Sequence, residues 1–385
     1  MWIEKFDNPQ QQIFQILNEK GEINPDFVTY LAKFDSKVLL KAYENMCLSR
    51  KQEQLQMELN YEKDETGKVK VVNGIPKVSG KVINFLSSKG QEGVEVAYAS
   101  CLRTGIDWLV PAYRNNAAWI TAGYPIAKVI QYWLGNEMGS QMPVGINILP
   151  VNIPIATQYS HAVGVAFAEK YKKQPGIVIT TIGDGGTSEG EFFEAINFAA
   201  IQKLPVIFFI ENNQWSLDTP TSKATMSPTF AQKGTACGIP NIMVDGNDFF
   251  AVYHVTQTAI TRAKAGNGPS LIEAVTYRQN AHSAFDIKKD YFSAEDYKIE
   301  QEWLKKDPID RIKNYLMAVK LWDEKQQLAL DIKLTTQINE AIAWAKANES
   351  VAIDEIFDYT FEKLTPQLIE QKAQAKAFFQ EGEKN

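Results

Sequence analysis

Two polar groups at the ends of neighbouring apolar runs could together bind a metal ion and a phosphate group. Asp184 lies in the glycine-rich turn 183–186 (GDGG), directly after the apolar run 178–182. Asn213 is the last residue of Glu-Asn-Asn, which follows a second apolar run at 206–210. A carboxylate oxygen and an amide oxygen are hard ligands that suit Mg²⁺, and glycines let backbone N–H groups approach an anion. The pattern therefore predicts a site for a magnesium-bound diphosphate.

The segment between these groups explains how they could meet. The run 178–182 has no polar alternation, as expected for a strand that is buried on both faces of a parallel sheet. Apolar residues recur every three or four positions over 189–203, which predicts a helix, and Thr187 or Ser188 could cap its start. Two parallel strands joined by one helix end at the same edge of the sheet, where open α/β sheets bind ligands. We therefore expect the carboxylate and the amide to lie side by side.

Two common phosphate-binding patterns are absent from the sequence. A dinucleotide-binding GxGxxG would need glycine at position 188, where the chain has serine, and no GxxxxGK[ST] occurs. A purely structural interpretation, in which the polar segments are a tight turn and an Asx turn, stays open. The combination of GDG and NN in a strand–helix–strand context is more specific than either turn alone and favours the binding site.

The composition is that of a soluble globular protein and excludes several classes of partner. Of 385 residues, 45% are hydrophobic and 22% are charged, and the formal net charge is −6. This charge provides no basic surface for nucleic acid or for a membrane, and no apolar run reaches transmembrane length. The amino terminus lacks the apolar core of a signal peptide, and Cys47, Cys101 and Cys237 lack disulfide or metal spacing. We expect buried thiols, a reducing cytoplasm, and no nucleic-acid or membrane partner.

The combination of GDG and ENN resembles the thiamine diphosphate signature, and the surrounding sequence resembles the α subunit of the E1 component of 2-oxo acid dehydrogenase complexes. The resemblance extends from about Phe14 to about Leu364 and is nearest in pattern to the bacterial pyruvate dehydrogenase type. It implies the thiamine diphosphate-binding α/β fold, in which a mostly parallel sheet is flanked by helices, followed by a helical carboxyl-terminal arm. It also implies thiamine diphosphate and Mg²⁺ as cofactors, with the metal held by Asp184, Asn213 and the backbone carbonyl of Trp215.

The resemblance assigns further residues to the cofactor site. The Tyr113-Arg114 pair matches a position where arginine contacts the diphosphate, and a guanidinium suits phosphate because its planar fork binds two oxygens at once. Segment 153–158 (IPIATQ) matches the stretch whose backbone holds the aminopyrimidine ring. The implied cofactor-binding residues are Tyr113, Arg114, Ile153, Ile155, Asp184, Gly185, Gly186, Asn213 and His282.

Of the three histidines, His282 matches the active-site histidine of the family. It follows the predicted strand 270–277 at its carboxyl end, in the same loop as Arg278. A lone histidine is more often structural, but this position at the ligand-binding edge of the sheet favours catalysis. His161 and His254 lie on predicted helices, and we expect no catalytic role for either, with His254 facing solvent.

Three further positions bear on the resemblance. Gly90-Gln91-Glu92 resembles the GQEA turn of the family at the start of a helix. Met138 stands where several members carry an active-site histidine, and methionine cannot donate a hydrogen bond or transfer a proton. Phe292 stands where the family commonly has arginine, at the end of a loop, 284–293, that is mobile in the family. A mechanism that needs a second histidine from this chain is therefore disfavoured.

The chain divides into three parts on these grounds. We predict an amino-terminal arm at 1–26 and a thiamine diphosphate-binding α/β domain at 27–293, with a surface hairpin inserted at about 60–81. A helical carboxyl-terminal arm is predicted at 294–385. No internal repeat or low-complexity linker separates further domains.

The resemblance implies oxidative decarboxylation of a 2-oxo acid, with pyruvate favoured, and transfer of the acyl group to the lipoyl group of an E2 partner. In this family a separate β subunit carries the glutamate that activates the cofactor, so we expect an α₂β₂ heterotetramer. His282 would donate or stabilise protons during the transfer. Branched-chain 2-oxo acids and acetoin stay open as substrates, as does a non-catalytic paralogue that pairs with a β subunit.

Overall fold

A parallel sheet lies at the centre of the computed structural model, which describes residues 12–72, 75–82 and 84–382. The strands are β1 Val71–Val72, β2 Ile75–Pro76, β3 Trp108–Val110, β4 Val178–Gly183, β5 Val206–Asn212, β6 Trp215–Ser216, β7 Thr219–Pro220, β8 Asn241–Asp245 and β9 Ser270–Val275. The central sheet has the spatial order β3-β4-β5-β9-β8, and all its neighbouring strands are parallel. The predicted α/β class with a mostly parallel sheet is confirmed.

Helices cover the sheet and make up the carboxyl-terminal part of the chain. They are α1 Val28–Ala32, α2 Ser36–Glu58, α3 Glu92–Ala99, α4 Asn116–Thr121, α5 Ile126–Trp133, α6 Thr157–Tyr171, α7 Gly190–Ile201, α8 Thr221–Ala224, α9 Lys233–Ala236, α10 Phe249–Lys264, α11 Ala294–Leu304, α12 Pro308–Ala318, α13 Glu324–Ala347, α14 Ile353–Asp358 and α15 Pro366–Gly382. Short 3₁₀ turns occupy Pro25–Phe27, Glu137–Ser140, Asp184–Ser188 and Lys288–Asp290. The helical carboxyl-terminal arm is present as predicted.

Alternate side chains of the central strands enter two apolar cores, one on each face of the sheet. In β5, Ile207 and Phe209 pack in the core that α2, α3, α5 and α10 also enter. Val206, Phe208 and Ile210 pack in the core formed with α6 and α7. Because both faces are covered, every position of the strand is buried, which explains the run without polar alternation.

The described part of the predicted amino-terminal arm docks on the edge strand β8. Phe14 accepts a backbone hydrogen bond from Asp245 and donates one to Met243, each at 3.0 Å, as a short parallel bridge. This contact covers the backbone of an edge strand that would otherwise be open to pairing with another chain. Residues 1–11 of the predicted arm lie outside the described residues.

The start of α7 differs from the sequence prediction. Neither Thr187 nor Ser188 caps the helix, because its N-cap is Glu189, whose side chain makes no capping hydrogen bond. The Thr187 hydroxyl instead donates to the backbone oxygen of Asp184 at 2.7 Å and closes the 3₁₀ turn that follows β4. The prediction was wrong because this extra turn separates the strand from the helix.

His254 was predicted to face solvent, and this prediction was wrong. Its half-buried ring lies 5.0 to 5.9 Å from the rings of Phe14, Phe27 and Tyr30, measured between centroids, and burial lowers its pKa. These aromatic partners belong to the amino-terminal part of the chain, so no local pattern around α10 could indicate them. His161, in contrast, is exposed on α6.

The remaining surface and thiol predictions have mixed outcomes. The insertion at 60–81 is a hairpin in which β1 and β2 pair antiparallel, with an exposed β1. All three cysteines are free, but only Cys101 is buried, whereas Cys47 and Cys237 are half-buried. Among the helices that the structure describes, none is long and apolar enough to span a bilayer.

Candidate functional site

A cavity of about 320 Å³ opens at the carboxyl ends of β4 and β5. This is the edge at which ligands bind in open parallel sheets. The residues singled out from the sequence that line it are Tyr113, Arg114, Ile155, Asp184, Gly185, Gly186, Asn213, Trp215 and His282. The fold thus gathers side chains from distant parts of the chain at one place, while the role of each stays a prediction.

Two positions singled out from the sequence lie outside the cavity lining. Ile153 is about half exposed and does not line the cavity, although Ile155 does. Met138 is half-buried in the 3₁₀ turn Glu137–Ser140. Its backbone oxygen accepts a hydrogen bond from the Lys128 ammonium at 3.0 Å. The side chain at position 138 therefore does not alter the cavity described here.

Strand register brings the two polar turns together. β4 and β5 are adjacent and parallel, with Ile182 opposite Ile210 and Gly183 opposite Glu211. The turns that begin after these pairs therefore leave the sheet at the same level. This geometry follows from the strand–helix–strand pattern and is the physical basis for a shared site.

Asp184 is buried with little hydrogen bonding. Among the described residues, its side chain accepts long contacts from the hydroxyls of Ser216 at 3.3 Å and Thr221 at 3.5 Å, and the residue is 1% exposed. Burial raises the pKa of Asp184 to about 6. A carboxylate in this setting has acceptor capacity that a cation can satisfy.

Asn213 is oriented by hydrogen bonds on both sides of its amide. The backbone N–H of Trp215 donates to Asn213 Oδ1 at 3.2 Å, and Asn213 Nδ2 donates to Gln91 Oε1 at 3.0 Å. An amide oxygen has two lone pairs, so Oδ1 retains one for a metal ion. The backbone oxygen of Trp215 receives a single long contact, from Arg278 at 3.4 Å.

Gly185 and Gly186 of the GDGG turn stand where a Cβ would collide with neighbouring side chains. A Cβ on Gly185 would lie 2.0 Å from Ser216 Oγ. A Cβ on Gly186 would lie 2.5 Å from Ile182 Cγ1 and 2.9 Å from Ile155 Cγ2. The backbone therefore forms the cavity wall directly, and its N–H groups can face an anion.

Two buried arginines converge on His282. Arg114 Nη2 lies 3.2 Å and Arg278 Nη1 lies 3.0 Å from His282 Nδ1, and the two residues are 6% and 0% exposed. Their other contacts include the backbone oxygens of Ser87 and Leu217. Within the described residues neither arginine forms a salt bridge, in contrast to the other buried arginine, Arg311. Burial and the second guanidinium lower the pKa of Arg114 to about 10.

The same contacts set the protonation state of His282. A guanidinium can only donate, so Nδ1 accepts from both arginines and the proton of the neutral ring resides on Nε2. Burial and the charges of Arg114 and Arg278 lower the pKa of His282 to about 3. His282 is therefore a neutral Nε2–H donor at physiological pH and not an acid with a positive charge.

The loop 284–293 folds back on this site. Its Tyr291 hydroxyl donates to Asp286 at 2.6 Å, and the same carboxylate accepts from the backbone N–H of His282 at 2.6 Å. Phe292 stacks on the Trp215 ring with 4.6 Å between centroids. In place of the family arginine, an aromatic contact therefore anchors the loop.

The polar groups at the cavity suit the magnesium-bound diphosphate that the sequence resemblance implies. No group of three or more His, Cys, Asp or Glu residues in the described ranges could hold a metal. Of the two carboxylates that line the cavity, Glu211 already accepts from Asn115 and Tyr98, which leaves Asp184 for a metal. A carboxylate, an amide and a backbone carbonyl would leave Mg²⁺ with positions for phosphate oxygens and waters, as this ion prefers. Together with the glycine wall and the buried arginines, these donors fit a magnesium-bound diphosphate.

Several cavity residues were not singled out as functional from the sequence. They are Gln91, Ala112, Gln158, Ile182, Gly183, Glu211, Ser216 and Leu217. The sequence did draw attention to Gln91, because it belongs to the GQE turn that resembles a family motif. Nothing in the sequence showed that this turn would contact Asn213. Glu211 is satisfied by Asn115 and Tyr98, and burial raises its pKa to about 7.

The chain is similar to a known protein family and to several named proteins. Residues 77–354 match the family described as Dehydrogenase E1 component. The chain is 39% identical over 303 residues to the pyruvate dehydrogenase E1 component subunit alpha of Mycoplasma genitalium, which covers 79% of this chain and 84% of that protein. It is 35% identical over 362 residues to the Staphylococcus aureus protein of the same name, covering 94% and 91%.

The chain is also similar to a protein that is named for a different 2-oxo acid. The 3-methyl-2-oxobutanoate dehydrogenase subunit alpha of Mycobacterium tuberculosis is 37% identical over 301 residues, which covers 77% of this chain and 80% of that protein. The family match covers more than half of the chain, and the relatives cover most of its length. The chain therefore belongs to the Dehydrogenase E1 component family, among the α subunits of thiamine-dependent 2-oxo acid dehydrogenases.

Proposed function

We propose that this chain is the α subunit of a pyruvate dehydrogenase E1 component, which decarboxylates pyruvate oxidatively and passes the acetyl group to the lipoyl group of an E2 protein. One observation carries the proposal: two buried arginines without salt-bridge partners among the described residues meet at His282, which with Arg114 lines a cavity walled by a glycine turn. Buried cations of this kind are stabilised by a permanent anion. A diphosphate supplies one.

The proposed cofactor contacts follow from the donors at the cavity. Asp184, Asn213 and the Trp215 carbonyl would hold Mg²⁺, while Arg114 and the backbone N–H groups of the GDGG turn would bind the diphosphate. The remaining proposed contacts are the backbone of Ile153 and Ile155 to the aminopyrimidine ring, and Tyr113, Gly185, Gly186 and His282 to the diphosphate end. When bound, thiamine diphosphate supplies the nucleophile and the electron sink for decarboxylation.

His282 is the proposed catalytic residue of this chain. Its Nε2–H can donate a hydrogen bond to an oxygen on which negative charge develops, and its two arginine contacts hold the ring in one orientation. This refines the role expected from the sequence, because a ring with a pKa of about 3 acts by donating a hydrogen bond from its neutral form.

Pyruvate is the favoured substrate because relatives over most of the chain carry that name. A branched-chain 2-oxo acid is the second candidate, supported by the relative named for 3-methyl-2-oxobutanoate. A non-catalytic paralogue is disfavoured, since metal donors, arginine and histidine line one cavity.

The proposed assembly is an α₂β₂ heterotetramer in the cytoplasm that delivers acyl groups to E2. The carboxylates that line the cavity are Asp184 and Glu211, and Glu211 already accepts from Asn115 at 2.8 Å. The proposed mechanism therefore takes the activating glutamate from the β subunit, and half of each active site comes from this chain.

The test is turnover by the co-expressed α and β chains with pyruvate, 3-methyl-2-oxobutanoate and acetoin, using an isolated lipoyl domain as acceptor. We expect Mg²⁺-dependent acetylation of the lipoyl domain from pyruvate, slower reaction of the other substrates, and no turnover by the α chain alone. Decarboxylation by the α chain alone would contradict the assembly. Preference for the branched acid would reassign the substrate, and no turnover of any substrate would favour the non-catalytic paralogue.

A further inference from the structure

Gln91 is fully buried between the cavity and the end of β9. It precedes α3 in a turn where Gly90 has φ +94° and where a Cβ would lie 2.3 Å from the backbone oxygen of Tyr277. Thr276 fixes the turn from the sheet side, since its hydroxyl donates to the backbone oxygen of Gly90 at 2.9 Å. Only glycine permits this approach, which brings Gln91 to the cavity wall.

Hydrogen bonding fixes the orientation of the Gln91 amide. The backbone N–H of Trp215 must donate to an oxygen, so the oxygen of the Asn213 amide faces Trp215 and its nitrogen faces Gln91. An N–H donor needs an acceptor, so Gln91 presents Oε1 to Asn213. The remaining polar atom, Gln91 Nε2, is buried and has no partner within the described residues.

A comparison within the chain shows why this unpaired donor matters. Gln56 Nε2 is also buried without a partner in the described ranges, but Gln56 lies in α2 and lines no cavity described here. Gln91 lines the cavity that also contains Asp184 and Asn213. A buried donor beside a ligand cavity can be satisfied by the ligand, whereas one within a packed helix cannot.

We propose that Gln91 is a further cofactor-site residue with two roles, and this rests on the function proposed above. Its Oε1 is the positioning group, because it holds the Asn213 amide with Oδ1 available to the metal. Its Nε2 is a binding group, because it donates a hydrogen bond to an oxygen of the diphosphate. Gln91 thereby couples the start of α3 to the carboxyl end of β5.

Two substitutions separate the roles. Gln91→Met keeps the length of the side chain and removes both the acceptor and the donor. Gln91→Glu keeps an oxygen that can accept from Asn213 but has no N–H, and it adds a negative charge near the diphosphate. Gln56→Met is the matched control, since it makes the same chemical change at a buried glutamine away from the cavity.

The measurement is calorimetric titration of the assembled α and β chains, first with thiamine diphosphate at saturating Mg²⁺ and then with Mg²⁺ at saturating thiamine diphosphate. We expect Gln91→Met to weaken both affinities roughly tenfold or more, as the loss of a hydrogen bond to a charged group does. Gln91→Glu should weaken thiamine diphosphate binding similarly while the Mg²⁺ requirement stays within about threefold of wild type. Gln56→Met should match the wild type in both titrations.

The possible outcomes distinguish this inference from the proposed function. Wild-type affinities in both Gln91 variants would overturn the inference and leave the proposed function intact, whereas failure of the wild-type assembly to bind thiamine diphosphate would overturn the proposed function. An equal rise of the Mg²⁺ requirement in both variants would overturn the positioning role. If Gln91→Met lowers the melting temperature, the isosteric Gln91→Glu decides the binding role by itself.

Discussion

Asp184 and Asp248 are two buried carboxylates that differ in how well they are satisfied. Both follow a strand of the central sheet, they are 1% and 0% exposed, and burial raises the pKa of each to about 6. Asp248 accepts from four backbone N–H groups at 2.6 to 3.2 Å, whereas Asp184 has two long contacts from hydroxyls. The two carboxylates therefore differ in unmet hydrogen-bond capacity, and not in burial or in the shift of the pKa.

The surroundings of Asp248 and Asp184 also differ in how well their polar and charged groups are paired. Asp248 caps α10 and binds the backbone of the amino-terminal arm at Ile16 and Leu17. The nearby Arg311 is paired with Asp245 at 2.7 Å, so charge is balanced locally. Beside the cavity, Arg114 and Arg278 contact the neutral His282 ring, and Gln91 Nε2 has no partner within the described residues. We therefore interpret Asp248 as a structural residue that connects α10 to the amino-terminal arm, and the region around Asp184 as the proposed binding site.

The largest expected effect is on cofactor binding by Asp184→Ala. It should abolish Mg²⁺-dependent binding of thiamine diphosphate to the assembled protein, because the metal then loses its proposed carboxylate ligand. The metal-free protein should be as stable as the wild type or more so, since a poorly satisfied buried charge is removed. Calorimetric titration and thermal unfolding measure both. Retained affinity, or a large loss of stability without the metal, would place Asp184 in the same class as Asp248.

His282→Ala should reduce acetyl transfer to a lipoyl domain by about 10²–10⁴-fold, the usual contribution of a positioned proton donor. Thiamine diphosphate affinity should change much less, because the metal and most diphosphate contacts remain. His282→Gln, which can place an N–H near Nε2, should recover part of the rate.

The matched control for this prediction is His254→Ala in α10. Its ring packs on aromatic side chains and lies away from the cavity, so acyl transfer should be near the wild-type rate. Near-normal transfer by His282→Ala would mean that this histidine is structural too, and the catalytic role would pass to the β subunit.

Asp248→Ala should act on folding and leave the site intact. Loss of four backbone hydrogen bonds and of the α10 cap should lower the free energy of unfolding by roughly 2–4 kcal/mol. Urea unfolding of the wild type and variant measures the loss, and titration of the assembled variant should give thiamine diphosphate affinity close to that of the wild type. Strongly weakened binding in a folded variant would break the distinction between the two regions.

The smallest expected effects are opposite responses to pH. The folded pKa of His282 is lowered to about 3, so its stabilising contribution is complete above about 6.5 and is lost as the pH falls towards 3. The folded pKa of Asp248 is raised to about 6, so its contribution is complete below about 3.9 and is lost as the pH rises through 6.

Unfolding free energies between pH 5 and pH 7 test these signs. On lowering the pH, the advantage of the wild type over His282→Gln should shrink, and its advantage over Asp248→Asn should grow. Each change is limited to about 1.4 kcal/mol per pH unit, the value for one proton. A change of the same sign for both variants would contradict the assigned protonation states.

The sequence alone indicated the sheet and the edge at which the site lies. Apolar runs, the helical spacing between them and the glycine turn are local properties, so they predicted β4, α7 and β5 and the parallel sheet that the structure confirms. The Asp248 cap of α10 is also a local feature, because a capping side chain bonds to backbone two or three residues away. Domain boundaries and the roles of single site residues stay predictions.

Two predictions made from local patterns were wrong. His254 was expected to face solvent because the pattern of α10 does not include Phe14, Phe27 and Tyr30, whose rings pack against it. Thr187 was expected to cap α7, but the backbone of Asp184 takes its hydroxyl hydrogen bond in a 3₁₀ turn. In both cases a contact formed on folding replaced the one that local sequence favoured.

The sequence by itself determined which residue types stand at the ends of the strands, and thereby a carboxylate, an amide and a histidine at one edge of the sheet. Only the tertiary structure decided which polar groups there would have partners. Gln91, Arg114 and Arg278 come from separate segments, and their contacts with Asn213 and His282 exist only after the strands align. The physical reason is that the hydrogen-bond capacity of a side chain is fixed by its type, whereas its satisfaction depends on the neighbours that folding provides.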